Sequence, residues 1–288
     1  MRYYRTERDD RTALLCEHDD EFHDLTAVKP GATSFADLAA AAEIADATAD
    51  EVADRLVDDA PAVSFDESDA RRPFVPDEVW AAGVTYAISQ KNREGEGSVG
   101  EKYLDAYESE RPEVYFKATP TRTVGPGEAV GIRADSEWDV PEPELTIVLN
   151  KGEIVGYTVG NDVCSREIER DNLLYLPQSK IYRDSCSIGP CVATPDAVGD
   201  PHDLEMSMTI ERDGTSVFEG STSTSEMVRT CEELTEYFRR CNYVPETTAL
   251  LTGTSIIPPN DVSLEPDDTV AITIEDIGVL ENTVAEVA

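Results

Sequence analysis

Residues 141–162 read PEPELTIVLNKGEIVGYTVGND. Within them ELTIVL and EIVGYTVG are short runs rich in β-branched and aromatic residues, the composition of strands. Asn150-Lys151-Gly152 between them supplies a tight turn, so the segment predicts a β-hairpin. Glu142 and Glu144 stand two apart at the start of the first strand. Strand alternation sends both side chains to one face, roughly 6.5 Å apart along the chain. The return strand ends at Asp162, near the place where the first strand began. Three carboxylates converging on one end of an apolar hairpin form a hard-oxygen site suited to Mg²⁺, Mn²⁺ or Ca²⁺. The Glu-x-Glu spacing alone carries no weight, because about twelve acid-x-acid pairs arise from composition in a chain this acidic. The apolar hairpin and the acid at its far end are what set this pair apart.

Working outward, the same texture continues on both sides of the hairpin. From about residue 80, EVYFKA, SMTIERDG and VAITIE alternate with Gly/Pro turns, and a helix is predicted around 225–241. This pattern predicts an α+β body built on a bent or barrel-like mixed sheet rather than an alternating parallel one. Upstream, SFADLAAAAEIADATADEVADRLV (34–57) predicts a helix: Ser34 caps it, Asp37 follows three residues on, and Ala fills the interior. DESDARRPFVPDEV (66–79) is polar and carries Pro73 and Pro76, which marks a join. The expected organisation is a small N-terminal α/β domain, 1–75, and a catalytic domain, 76–288.

The chain has 288 residues, with 60 Asp+Glu against 24 Lys+Arg, a formal charge of −36. That surplus excludes nucleic acid and anionic membranes as partners, since the phosphate term is repulsive. With hydrophobic residues at 40 % there is still enough apolar material for a core, so the charge does not signal disorder. No acidic run exceeds three residues (Asp19–Glu21), and Lys is scarce beside Arg. Acids spread this evenly read as adaptation to concentrated salt, where self-repulsion is screened within about 3 Å at 1 M. The opening MRYYRTERDD carries no apolar stretch and no run is long enough to span a membrane, so a cytoplasmic protein is expected. Six cysteines without a CxxC pair read as reduced, mostly buried thiols.

Only His18, His23 and His202 are present, none near the hairpin, which argues against a His-ligated zinc centre. Two of the six lysines have unusual neighbours: Lys117 in VYFKATP and Lys180 in LPQSKIYRD. Each fits either a site beside the carboxylates, facing developing negative charge, or a strand edge with its ammonium reaching solvent.

PEPEL (141–145), GYTVGNDVCSRE (156–167), QSKIYRDSCSIGP (178–190) and TGTSIIP (252–258) together resemble the fumarylacetoacetate hydrolase family. Within it the chain is most similar to the branch of 2-keto-3-deoxy-pentonate dehydratases. The similarity runs from about Val79 to Gly278 and is densest in RPEVYFKATPTRTVGPGEAV, DSEWDVPEPEL and NLLYLPQSKIY. The N-terminal 75 residues resemble the family only loosely. The resemblance implies a mixed β-roll body, homo-oligomerisation as a dimer or tetramer, and a Mg²⁺ site on Glu142, Glu144 and Asp162. It implies Lys180, Glu113 and Thr254 as catalytic residues. Arg166, Lys117, Tyr86, Ser89 and Gln178 would contact substrate. The hydrolase branch carries a histidine in a Tyr-x-x-His element, where GVTYAISQ (83–90) has Ser89 after Tyr86, so the dehydratase branch is favoured. The implied reaction converts a 2-keto-3-deoxy-D-pentonate, derived from D-xylonate or D-arabinonate, to 2,5-dioxopentanoate in oxidative pentose degradation. Alternatives are an acylpyruvate hydrolase or oxaloacetate decarboxylase of the same fold, or a non-catalytic metal-binding scaffold.

Overall fold

The structure is a computed structural model and describes residues 1–86 and 109–288. Ser89 and the glycine-rich stretch 93–102, noted in the sequence as a candidate lid, lie outside the described residues. The N-terminal part contributes strands β1 (Arg2–Arg8), β2 (Arg11–His18), β3 (Glu21–Asp24) and β4 (Ala62–Val63). The rest contributes β5 (Glu78–Gly83), β6 (Glu113–Ala118), β7 (Thr123–Val124), β8 (Ala129–Arg133), β9 (Asp139–Val140) and β10 (Pro143–Asn150). After these come β11 (Glu153–Asp162), β12 (Cys164–Ser165), β13 (Cys186–Ala193), β14 (Glu205–Arg212) and β15 (Thr215–Ser223). β16 (Thr247–Leu251), β17 (Thr269–Ile274) and β18 (Gly278–Val287) complete the strands.

Among the described residues the large sheet runs β4-β3-β2-β1-β13-β11-β10-β16-β5-β6, with β7 paired to β13. A second sheet runs β15-β14-β17-β18-β8, and β9 pairs with β12 in a short ladder of its own. Most neighbours are antiparallel, whereas β16–β5, β18–β8 and β13–β7 are parallel, giving the mixed α+β architecture expected. β1 is hydrogen-bonded to β13 in the register Tyr3↔Val192, so the N-terminal strands extend the sheet that carries the hairpin.

The large sheet is covered on both faces, which explains why its strands read as continuous apolar runs. Successive residues enter opposite cores. Tyr3, Leu14, Ala81, Val148 and Ala249 pack with Phe35, Leu38 and Ala53 from the N-terminal helices. Their neighbours Tyr4, Leu15, Ala82, Ile147 and Leu250 pack with Met206, Ile272 and Leu280 from the second sheet. All eight residues of β10 are buried as a result. No helix among the described residues is long and apolar enough to cross a membrane.

The stretch 34–57, expected as one helix, is two: Phe35–Ile44 and Ala49–Val57. Ser34 and Asp37 form the anticipated capping box, and Thr48 with Glu51 forms a second one that starts the second helix. Asp46, at φ 50°, turns the chain between them. The helix expected around 225–241 is Cys231–Arg239, capped by Thr230.

Candidate active site

The hairpin forms as expected. Asn150 pairs with Glu153, and Lys151 and Gly152 both take positive φ, 49° and 84°, so the turn is of the two-residue kind that matches strand twist. At its other end Glu144 pairs with Gly160, and the Asp162 amide donates to the Glu142 carbonyl at 2.9 Å. Asp162 therefore stands directly across from Glu142, with Glu144 one pleat further on the same face. The three carboxylates each offer an oxygen within 4.8 Å of the others, and their exposures are 7 %, 1 % and 0 %. An ion bound at about 2.1–2.4 Å needs its donors no more than roughly 4.2–4.8 Å apart, so the set fits Mg²⁺ or Ca²⁺. The all-oxygen donor set also matches a hard divalent cation better than zinc.

Cations ring these acids. Lys180 ends the helix Leu176–Lys180 and its Nζ donates to Glu142 Oε2 (2.6 Å) and Asp162 Oδ2 (3.0 Å). Arg166 opens the helix Arg166–Asp171 and bridges Glu142 Oε1 (2.6 Å) and Glu169 Oε2 (2.7 Å). Lys117 is fully buried and pairs with Asp162 Oδ1 at 2.6 Å. Burial opposes ionisation of Asp162, but Lys117 and Lys180, with hydrogen bonds from Lys117 and Tyr115, hold its carboxyl at about 2. Burial pushes the Glu144 carboxyl well above the usual range, and neighbouring Asp162 adds to the rise. Lys180 keeps its proton far above the usual range, because Asp162, Cys164 and Glu142 outweigh the effect of burial. Around the site, Glu113, Glu142, Glu144, Asp162 and Glu169 face Lys117, Lys180 and Arg166. A divalent cation would favour the ionised form of Glu144, which burial alone disfavours.

A cavity of about 70 Å³ opens beside the carboxylates and collects most of the predicted residues. Glu113, Tyr86, Arg166, Lys180 and Thr254 line it together with Glu142 and Glu144. Burial raises the Glu113 carboxyl, with Lys180 partly opposing and Glu169 and Glu142 reinforcing the shift. The Tyr86 hydroxyl is buried without a hydrogen-bond partner among the described residues, so it is held in reserve at the wall. Thr254 Oγ1 accepts from the Ile256 amide (3.1 Å). A larger cavity of about 360 Å³ lies between the two N-terminal helices and the turn of the β10–β11 hairpin, at the opposite end from the carboxylates. Its lining carries Glu43, Asp50, Glu153, Asp196 and Lys151, but among the described residues these acids form no group close enough to share a metal ion.

Two predicted substrate contacts, Gln178 and Lys117, do not line the cavity beside the carboxylates among the described residues. Gln178 is exposed and does not line the cavity, because two residues along a helix rotate it about 200° away from Lys180. Lys117 lies behind Asp162, outside the cavity, where its Nζ also donates to the Val163 carbonyl (3.0 Å), the Lys180 carbonyl and Ser185 Oγ (3.3 Å). It holds Asp162 from beneath the site. Residues that the sequence reading missed include Tyr115, whose hydroxyl donates to Asp162 Oδ2 at 2.5 Å. Glu169, partner of Arg166, and Gly253, whose amide donates to Glu144 Oε2 at 2.6 Å, were missed too. Tyr115 was signalled by alternation, since Glu113, Tyr115 and Lys117 share one face of β6. Glu169 lies three residues from Arg166 on one helix, a spacing that makes such pairs.

Comparison with known proteins agrees with this geometry. The model of the fumarylacetoacetate (FAA) hydrolase C-terminal domain matches residues 78–285. Over the whole length of both chains the protein is 54 % identical to a probable 2-keto-3-deoxyxylonate dehydratase of Haloferax volcanii. Over 75 % of each chain it is 45 % identical to the 2-dehydro-3-deoxy-D-arabinonate dehydratase of Saccharolobus solfataricus. A solved 2-keto-3-deoxy-D-arabinonate dehydratase, complexed with magnesium and 2,5-dioxopentanoate, superposes with a TM-score of 0.81 at 34 % identity. That match covers 100 % of this chain and 99 % of that one. The chain belongs to the fumarylacetoacetate hydrolase family.

Proposed function

We propose that the protein is a Mg²⁺-dependent hydro-lyase that dehydrates a 2-keto-3-deoxy-D-pentonate to 2,5-dioxopentanoate. The observation that carries this reading is the buried Glu142–Glu144–Asp162 triad, of which Glu142 and Glu144 line a cavity walled by Lys180, Arg166 and Glu113. The full-length similarity to a probable 2-keto-3-deoxyxylonate dehydratase supports the substrate class. Glu142, Glu144 and Asp162 would hold the ion, which when bound supplies Lewis-acid polarisation of the 2-keto oxygen and makes the C3 protons acidic. Arg166, a planar guanidinium at the cavity wall, suits the substrate carboxylate. The Lys180 ammonium faces the oxygen on which negative charge develops as the C3 proton leaves. Glu113, whose carboxyl burial keeps more basic than usual, moves protons, taking one from C3 or giving one to the departing C4 hydroxyl. Tyr86 and Thr254 offer hydroxyls to the sugar chain. Loss of water followed by tautomerisation leaves the aldehyde at C5.

The proposal extends to a cytoplasmic homo-oligomer, with residues 1–75 as a small domain joined to a catalytic domain, 76–288. Incubation with a panel of 2-keto-3-deoxy sugar acids and Mg²⁺ in molar KCl, with products identified by mass spectrometry, tests the reaction. The expected product is 2,5-dioxopentanoate, and Glu144→Gln abolishes its formation through lost metal affinity. Release of CO₂ or pyruvate from oxaloacetate-like substrates in its place refutes the assignment. Full activity in EDTA-treated enzyme with no metal detectable by elemental analysis refutes the metal dependence.

A further inference from the structure

Gly83 ends β5 directly opposite Glu113 in the β5–β6 register. Glycine weakens a strand and has no side chain to pack, so its place at the cavity wall needs a cause. The Glu113 side chain supplies one by folding back across the ladder over the Gly83 Cα. A Cβ built at position 83 stands 2.0 Å from Glu113 Oε2, 3.0 Å from Cδ and 3.6 Å from Cγ. The three nearest atoms all belong to that one side chain. Gly125 and Gly131 differ in kind, because a Cβ there meets the backbone, at 2.8 Å from the Arg72 nitrogen and 2.4 Å from the Arg183 oxygen. At Gly83 the fold leaves room for a methyl group, and the space is filled by the carboxylate.

We infer that Gly83 is a positioning residue: its missing side chain is the seat that holds the Glu113 carboxylate at the cavity wall. This rests on the acid/base role given to Glu113 above. A Cβ at position 83 forces the carboxylate to withdraw by about 1 Å or more, since heavy atoms do not approach a Cβ within 3.0 Å. Misplacement of that size costs about 10²-fold in rate where a reacting group must be aligned. The scaffold is spared, because the displaced atoms are the far end of a flexible side chain.

The test compares Gly83→Ala, Glu113→Gln and the double variant, reading kcat, KM, Mg²⁺ affinity by calorimetry without substrate, and melting temperature. Glu113→Gln is expected to lose 10²–10⁴-fold in kcat, the usual range for general acid–base catalysis. Gly83→Ala is expected to lose about 10²-fold in kcat with KM and Mg²⁺ affinity within a factor of about two, and the double variant to be no slower than Glu113→Gln alone. Gly83→Ala at the wild-type kcat, or losses that multiply in the double variant, overturn the seat. Glu113→Gln at the wild-type rate overturns the acid/base role itself, a different failure. Folding gives an independent readout: in a Glu113→Ala background, Gly83→Ala meets no atom closer than 3.6 Å and should melt at or above the single variant. A fall of several degrees there overturns the inference.

Discussion

Asp139 should make the stability of the fold depend on pH. It lies on β9, three residues before Glu142, and pairs with Ser165, the cap of the helix that carries Arg166. Its side chain is 2 % exposed, and Oδ1 has no hydrogen-bond partner among the described residues. Burial raises its carboxyl from the usual 3.8 to about 6, against smaller opposing effects of Ser136 and Arg133. The folded chain therefore holds the proton more tightly than the unfolded chain does. This contribution to stability is complete below about pH 4 and is lost as pH rises through 6. At 1.36 kcal/mol per unit, the loss reaches at most about 3 kcal/mol at neutral pH, and roughly half of it falls between pH 5 and 7.5. Asp139→Asn is neutral at every pH and removes the dependence. In molar KCl its melting temperature minus that of the wild type should grow by a few degrees from pH 5 to 7.5, given about 2.1 cal/mol/K of unfolding entropy per residue. Taking the difference between the two proteins cancels the titration of the other acids. A difference that stays constant across this range refutes the reasoning, because the folded chain would then release no extra proton from Asp139 as pH rises through 6.

Tyr115→Phe removes the donor to Asp162 Oδ2 and should weaken Mg²⁺ binding about 10–100-fold, the usual cost of losing a partner of a metal ligand. Calorimetric titration checks it, and an unchanged Kd counts against the brace. Lys117→Met leaves Asp162 without its fully buried partner and should cost about 3–5 kcal/mol of stability in Mg²⁺-free buffer, part of it recovered by saturating Mg²⁺. Urea denaturation with and without the ion reads both numbers. With a net charge of −36, the protein should unfold or dissociate as KCl falls from molar to millimolar, where the screening length grows roughly thirtyfold. A melting temperature flat over that range contradicts adaptation to salt. Borohydride treatment in the presence of substrate should leave the mass of Lys180 unchanged, and a trapped adduct there replaces the metal-assisted route with a Schiff base.

What the sequence revealed and what it hid divide along the range of the contacts. The hairpin was legible because every signal for it is local: period-two alternation, a turn tripeptide and acids at both free ends. The capping pair Thr48–Glu51 was equally local and repeats the Ser34–Asp37 signature, so the break in the first helix could have been read, but the alanine-rich interior concealed it. Gln178 lies off the cavity for a geometric reason: proximity to Lys180 along the chain becomes opposition around a helix. Lys117 and Tyr115 were harder. Alternation places them with Glu113 on one face of β6, but only the packing of that face against Asp162 decides which of them meets the cavity and which supports it from beneath. That packing depends on β6 joining β5, and β5 joining β16 in parallel, pairings that no short-range signal encodes. Charge was no guide either, since most of the sixty acids answer to solvent. Glu142, Glu144 and Asp162 differ from them in being buried, and burial of three like charges is tolerable only beside cations. The buried lysines and the buried acids thus explain one another.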